Sequence, residues 1–161
     1  MTNSEAIERF SGTAGAYCAL IESCGSAEPA GFYSDCFRLI ARLLSEAPDL
    51  PDIGTLNATP RVSHEEYSQV VDRLKSQVGD AHYKLVFDPW DIDPAPLLGS
   101  IWDDLADIWA DLRHGLDALN RGQRSNAVCE WRFSFHHHWG PNHATHLLRP
   151  LFSLAYAERY E

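Results

Sequence analysis

Apolar residues recur at spacings of three and four along most of the chain, the period of a helix with one buried stripe. Ile7, Phe10, Ala14, Tyr17 and Ile21 mark a first helix, in which Gly12 and Gly15 weaken the helix and suit the close approach of a neighbour. Tyr33, Phe37, Ile40, Leu44 and Ala47 mark a second, with Pro29 near its first turn. Ser63 to Glu66 has the form of a capping box, and Tyr67, Val70, Leu74 and Val78 carry the third stripe behind it. Asp93 and Pro94 stand as an N-cap and a first helical residue do. They predict a fourth helix to about Arg121, with Gly122 beyond its end and Ile101, Leu105, Ile108, Leu112 and Leu119 as its buried seam. A fifth is predicted from about Gln123 to Trp139. Gly140 ends it, and Pro141 opens a sixth that Pro150 kinks or interrupts.

Two irregular connectors, Pro48 to Pro60 and Gly79 to Trp90, separate these stripes. His82 to Phe87 alternates as a strand does, but a short strand without a partner is not stable, so the reading there is an extended connector. No repeat or linker divides the chain. The prediction is an all-α fold, a single-domain bundle of five or six helices spanning residues 1–161.

Composition narrows the functional classes. No apolar run reaches the roughly 18 residues of a membrane span, and the N-terminus lacks the basic-then-apolar form of a signal peptide, which together predict a cytoplasmic protein. A formal charge of -10 opposes binding to phosphate backbones and to anionic lipid, so neither nucleic acid nor membrane is expected as a partner. Cys18, Cys24, Cys36 and Cys129 form no CxxC pair and read as reduced, packed thiols.

Candidate chemistry concentrates between Ala127 and Arg149, which holds five of the eight histidines and two of the five tryptophans. On a helical wheel Val128, Trp131, Phe135 and Trp139 share one face with His138 at its edge, while Glu130, Ser134 and His137 form a separate stripe. Glu130, His137, His138 and His143 are the candidate metal ligands, with Asp104 or Asp107 as a possible further donor. The spacing matches neither HExxH nor the Glu-x-x-His of di-iron bundles. Arg132, between Trp131 and Phe133, calls for a carboxylate or an aromatic face, and Asp104 or Asp107 suits it; alternatively Arg132 and Arg149 form a site for a small anion. His146 and Arg149 are expected to face solvent or a partner. From Asp88 to Asp117 there are eight aspartates and one basic residue, Arg113. Asp103, Asp107, Asp111 and His114 point away from the fourth helix's seam and are expected to form a solvated face, with Asp104 nearer the seam's boundary.

The segments WDDLADIWADLRHGL (102–116) and EWRFSFHHHWGPNHATHLLRPL (130–151) resemble a bacterial family described as a domain of unknown function. The resemblance covers roughly the last two-thirds of the chain and is most specific at Trp131, Arg132, Phe133, Ser134, Phe135, His138, Trp139, Gly140, His143 and Ala144. It implies a mostly helical bacterial protein and carries no activity, cofactor or catalytic residue with it. No nucleophile with a base at motif spacing, no glycine-rich phosphate loop and no paired-glutamate signature occurs. The expected function is therefore a non-catalytic protein-interaction or regulatory module with no cofactor. The alternatives are a divalent-metal-binding helical protein and a binder of small anions. Substrate, partner identity and oligomeric state have no signature in the sequence.

Overall fold

The computed structural model describes residues 2–25, 29–54, 57, 60–86, 88, 90–93, 95 and 97–156. Six α-helices run along the chain, α1 Asn3–Glu22, α2 Pro29–Glu46, α3 His64–Val78, α4 Ile101–Asn120, α5 Arg124–His137 and α6 Thr145–Tyr156. A 3-10 turn at Ala47–Asp49 follows α2, and a π turn at Trp139–Ala144 joins α5 to α6. The capping box at Ser63 and Glu66 is formed, and a second one at Thr2 and Glu5 opens α1. Gly79 closes α3 and Gly122 follows α4, both at positive φ that a side chain adopts only with strain.

Helix α4 is central, packed against α1, α3, α5 and the π turn, while α2 lies against α1 and α6. One hydrophobic core joins Phe10, Tyr17, Ile40, Leu43, Leu105, Leu112, Trp131, Trp139 and their neighbours. Two of its buried polar atoms are satisfied, Tyr17 donating to the Leu105 carbonyl at 2.9 Å and Trp131 Nε1 to the Leu112 carbonyl at 3.1 Å, whereas the buried Nε1 of Trp139 has no hydrogen-bond partner among the described residues. The close approach expected at Gly12 and Gly15 is not there, since a Cβ at either would meet nothing within 4 Å. It occurs instead at Gly115, where a Cβ would collide with the Trp131 indole. All four cysteines are free thiols, three of them buried.

Four expectations change. His82–Leu85 is a strand, β1, because Leu97–Ser100 supplies the antiparallel partner, β2, eleven residues beyond it. Phe87 lies outside the described residues. The fourth helix begins at Ile101 rather than after Asp93, whose N–H is satisfied by the Asp91 carboxylate in a local turn; Pro94 lies outside the described residues. Gly140 does not end the helical path, which continues through the π turn. Pro150 sits inside α6, and the helix runs on to Tyr156 despite the lost donor.

Candidate metal centre

Asp104, Asp107 and Asp111 recur at i, i+3 and i+7, so α4 presents all three on one side. That side is not solvated. Helix α3, the hairpin and the π turn cover it, leaving His114 and Asp104 buried and Asp107 and Asp111 partly so; only Asp103 stays exposed.

Each carboxylate has a fixed partner. Tyr67 of α3 donates to Asp107 Oδ1 at 2.8 Å, and Tyr83 of β1 donates to Asp104 Oδ2 at 2.6 Å. Tyr83 can reach because its cross-strand neighbour is Gly99, where any side chain would strike the phenol ring. Burial, the hydrogen bonds and the charges of these aspartates push both phenols well above their ordinary range, so both stay donors.

Two histidines close on this row from the π turn. His138 leaves α5 with φ -138° and ψ -86°, which ends the regular helix, and the wider i→i+5 winding that follows carries His143 back beside it. Their ring centroids lie 4.8 Å apart. A Cβ on Gly140 would collide with the Phe135 carbonyl, so this tight return requires glycine. His138 Nδ1 lies 2.7 Å from Asp111 Oδ2, and His143 Nδ1 lies 2.7 Å from Asp104 Oδ1. An ionised carboxylate only accepts, so each Nδ1 carries the proton and each Nε2 is the atom left to bind something else. His143 Nε2 is 3.5 Å from Asp107 Oδ2. Ligand atoms of Asp107, His138 and His143 all lie within 4.8 Å of one another.

Burial pushes Asp111 up from the usual carboxylate range, against the hydrogen bond and charge of His138. Burial pulls His143 down, but the Asp104 hydrogen bond and the charges of Asp107, Asp104 and Asp111 outweigh it, and the net shift is upward. A metal ion here would displace the proton from Nε2.

Of the four ligands expected from sequence, His138 and His143 come together, and Asp107 joins them. Glu130 and His137 stand apart from that group. Glu130 is buried and 3.3 Å from His114 Nε2, and exposed His137 lies against the Phe133 ring with centroids 4.8 Å apart. Arg132 pairs with neither aspartate; it donates to the Leu50 carbonyl at 2.5 Å. Arg149 is exposed on α6, a different element from Arg132. Sequence reasoning missed the tyrosines, Asp111 and the His114–Glu130 pair.

Cavities open on both sides of the histidines. One of about 380 Å³ is lined by His138, His114, Glu130, Phe133, His137 and Arg61, among others. The other, of about 480 Å³, lies under the hairpin and is lined by His143, Asp103, Asp104, Leu85 and Leu98, among others.

A family model matches residues 1–157. The chain belongs to DUF5063, described as a domain of unknown function. The crystal structure of protein BF1032 from Bacteroides fragilis is similar to this DUF5063 chain, with a TM-score of 0.79 and 20% identity over 97% of this chain and 96% of that one. At that identity the likeness establishes the shared fold. No curated protein matches the chain. No helix among the described residues is long and apolar enough to cross a membrane.

Proposed function

We propose that this protein binds one divalent transition-metal ion through His138 Nε2, His143 Nε2 and the Asp107 carboxylate, and acts through that ion. The carrying observation is that three donor groups converge while both Nδ1 atoms are already held by aspartates. Metal-binding histidines are oriented in this way, with the second ring nitrogen donating to a carboxylate. Two histidines and one carboxylate are a donor set for zinc or iron(II), and three protein ligands leave coordination positions open for water or substrate. Such an ion supplies Lewis acidity or an activated water. The cavity beside each histidine gives a substrate somewhere to sit.

The test uses protein purified without a histidine tag, stripped by chelator and loaded with cobalt(II). Close to one equivalent should remain after dialysis, with visible d–d absorption, and His143→Ala or Asp107→Ala should abolish it while His137→Ala leaves it intact. Cobalt that binds equally to the His143→Ala protein would overturn the assignment.

A second reading, the interaction module, is supported by the hairpin connection, where Trp90 and Ile92 are almost wholly exposed between Asp88, Asp91 and Asp93. Replacing Trp90 and Ile92 with serine should then abolish capture of a partner without lowering the melting temperature.

A further inference from the structure

The cavity between α4, α5 and the segment before α3 contains more titratable groups than the metal centre uses. Its carboxylates are already engaged: Asp111 Oδ2 holds His138 at 2.7 Å and Glu130 Oε1 faces His114 Nε2 at 3.3 Å. Arg61 is different. It is exposed, lines both this cavity and the adjoining one of about 320 Å³, and has no ion pair or hydrogen bond among the described residues. With each carboxylate paired to a histidine, the group facing the cavity with hydrogen-bond donors still unused is the Arg61 guanidinium, whose charge also acts on Asp111. Guanidinium presents a planar fork of donors that matches a carboxylate in two-point contact. Phe133 and His137, tilted at 48° with centroids 4.8 Å apart, give the same cavity an apolar, flat-sided wall. A volume of about 380 Å³ lies within the roughly 300–1,000 Å³ of small-molecule sites.

We infer that this cavity binds a small organic acid with an aromatic or similarly flat body. Arg61 holds the acid group, the Phe133 and His137 rings lie along one side of the body, and the far end lies toward His138. The buried His114–Glu130 pair lines the cavity beside that end. The inference rests on the metal reading only for what the far end meets; the Arg61 contact stands without it.

Benzoate and its neutral isostere benzamide separate charge recognition from shape. Calorimetric titration of metal-free and cobalt-loaded protein should give benzoate binding at least tenfold tighter than benzamide in both forms. Arg61→Gln should weaken benzoate at least tenfold, with benzamide and cobalt stoichiometry unchanged, and Arg61→Lys should recover part of the loss. Phe133→Ala should weaken benzoate severalfold and leave acetate unaffected. Equal binding of benzoate and benzamide, or benzoate binding indifferent to Arg61→Gln, overturns the inference whatever the metal does. Benzoate binding through Arg61 in a protein that takes up no cobalt overturns the metal reading and leaves this one standing. Inorganic phosphate that competes with benzoate as strongly as benzoate binds itself would overturn the carboxylate assignment, because it would show that the flat body contributes nothing.

Discussion

The two cavities flanking the histidine pair differ in the charge left over after internal pairing. Beside His138, the Asp111 and Glu130 carboxylates each face a histidine, and Arg61, whose charge acts on Asp111, has no hydrogen bond or ion pair among the described residues. Beside His143, Asp104 is shared by His143 and Tyr83, no lysine or arginine lines the space, and Asp103 remains with no hydrogen-bond or salt-bridge partner among the described residues. Their walls differ too. The first is built from helices α4 and α5, locked by the buried Trp131, and the second is roofed by a two-stranded hairpin whose Leu97 and Leu98 are exposed. One group of metal-type donors thus presents a helix-walled face with a guanidinium beside its carboxylates and a hairpin-walled face with carboxylates alone. What each face admits is set by the residue that pairing leaves out, not by the total count of acids.

The most disruptive way to break this comparison is to remove the helical wall. Trp131 is fully buried, donates to the Leu112 carbonyl and packs 5.1 Å from Phe10 between centroids. Trp131→Ala should cost about 3–5 kcal/mol, lowering the melting temperature by roughly 10 °C in a chain of this size. Benzoate and cobalt binding should fall together, since the same wall positions α5 and the π turn. A neutral Trp131→Ala in denaturant titrations would show that the α4–α5 packing described above does not hold.

Next are the two aspartates that orient the histidines, one on each face. Removing outer partners of metal-binding histidines typically costs about 10–100-fold in metal affinity. Asp104→Ala and Asp111→Ala should each fall in that range when cobalt is competed against a chromophoric chelator. Asp104 should be the more costly, because it is buried, is also held by Tyr83, and fixes the less exposed of the two rings. Wild-type affinity in both variants would remove the orienting role.

How far these two faces could be read in advance follows from what each depends on. The helices were legible because their stripes are local: Ser63 and Glu66 announce a helix start three residues apart, and Gly122 an end. The hairpin was not, because β1 finds its partner across a connection and nothing inside 82–87 names Leu97–Ser100. Asp93 and Pro94 imitated a helix start, but the chain first adds that second strand. The acidic row was misjudged for a related reason. A wheel drawn for α4 alone places Asp107, Asp111 and His114 opposite the seam, and only the packing of α3 and the π turn turns that side inward. His138 and His143 were visible as candidates, but their juxtaposition needs a π turn that five-residue spacing in a regular helix would not give.

A pH series sharpens the hairpin side. Tyr83 is held neutral by burial, by its hydrogen bond to Asp104 and by that carboxylate's charge, so its folded value lies above its unfolded one. The stabilisation is then complete below the unfolded value of about 10 and is lost as pH rises beyond it, because the unfolded chain releases the proton first. Wild-type stability should fall above that pH, and Tyr83→Phe should fall less steeply, by at most about 1.4 kcal/mol per pH unit, the slope of one proton. Parallel curves for the two proteins would mean that Tyr83 is not held by Asp104. Among the described residues no tyrosine lines the cavity beside His138, so Arg61→Gln should leave the alkaline slope unchanged.

The smallest effect distinguishes the leftover charges themselves. Asp103 is pushed up by partial burial and by the charges of Asp107 and Asp104, against His143 and Lys75. Its folded value is raised, so the penalty of ionising it is absent below the ordinary carboxylate range and present at neutral pH. In metal-free protein Asp103→Asn should therefore raise stability at pH 7 by a few tenths of a kcal/mol, the scale of like charges at i and i+4 on a helix. That gain should vanish near pH 3, where wild-type Asp103 is itself protonated. Arg61→Gln should show no such gain, because the charge it removes acts favourably on the Asp111 carboxylate. Thermal melts of both variants at the two pH values provide the check. If Asp103→Asn destabilises at pH 7, Asp103 has a favourable partner in the folded protein, and the hairpin-walled face has no charge left over.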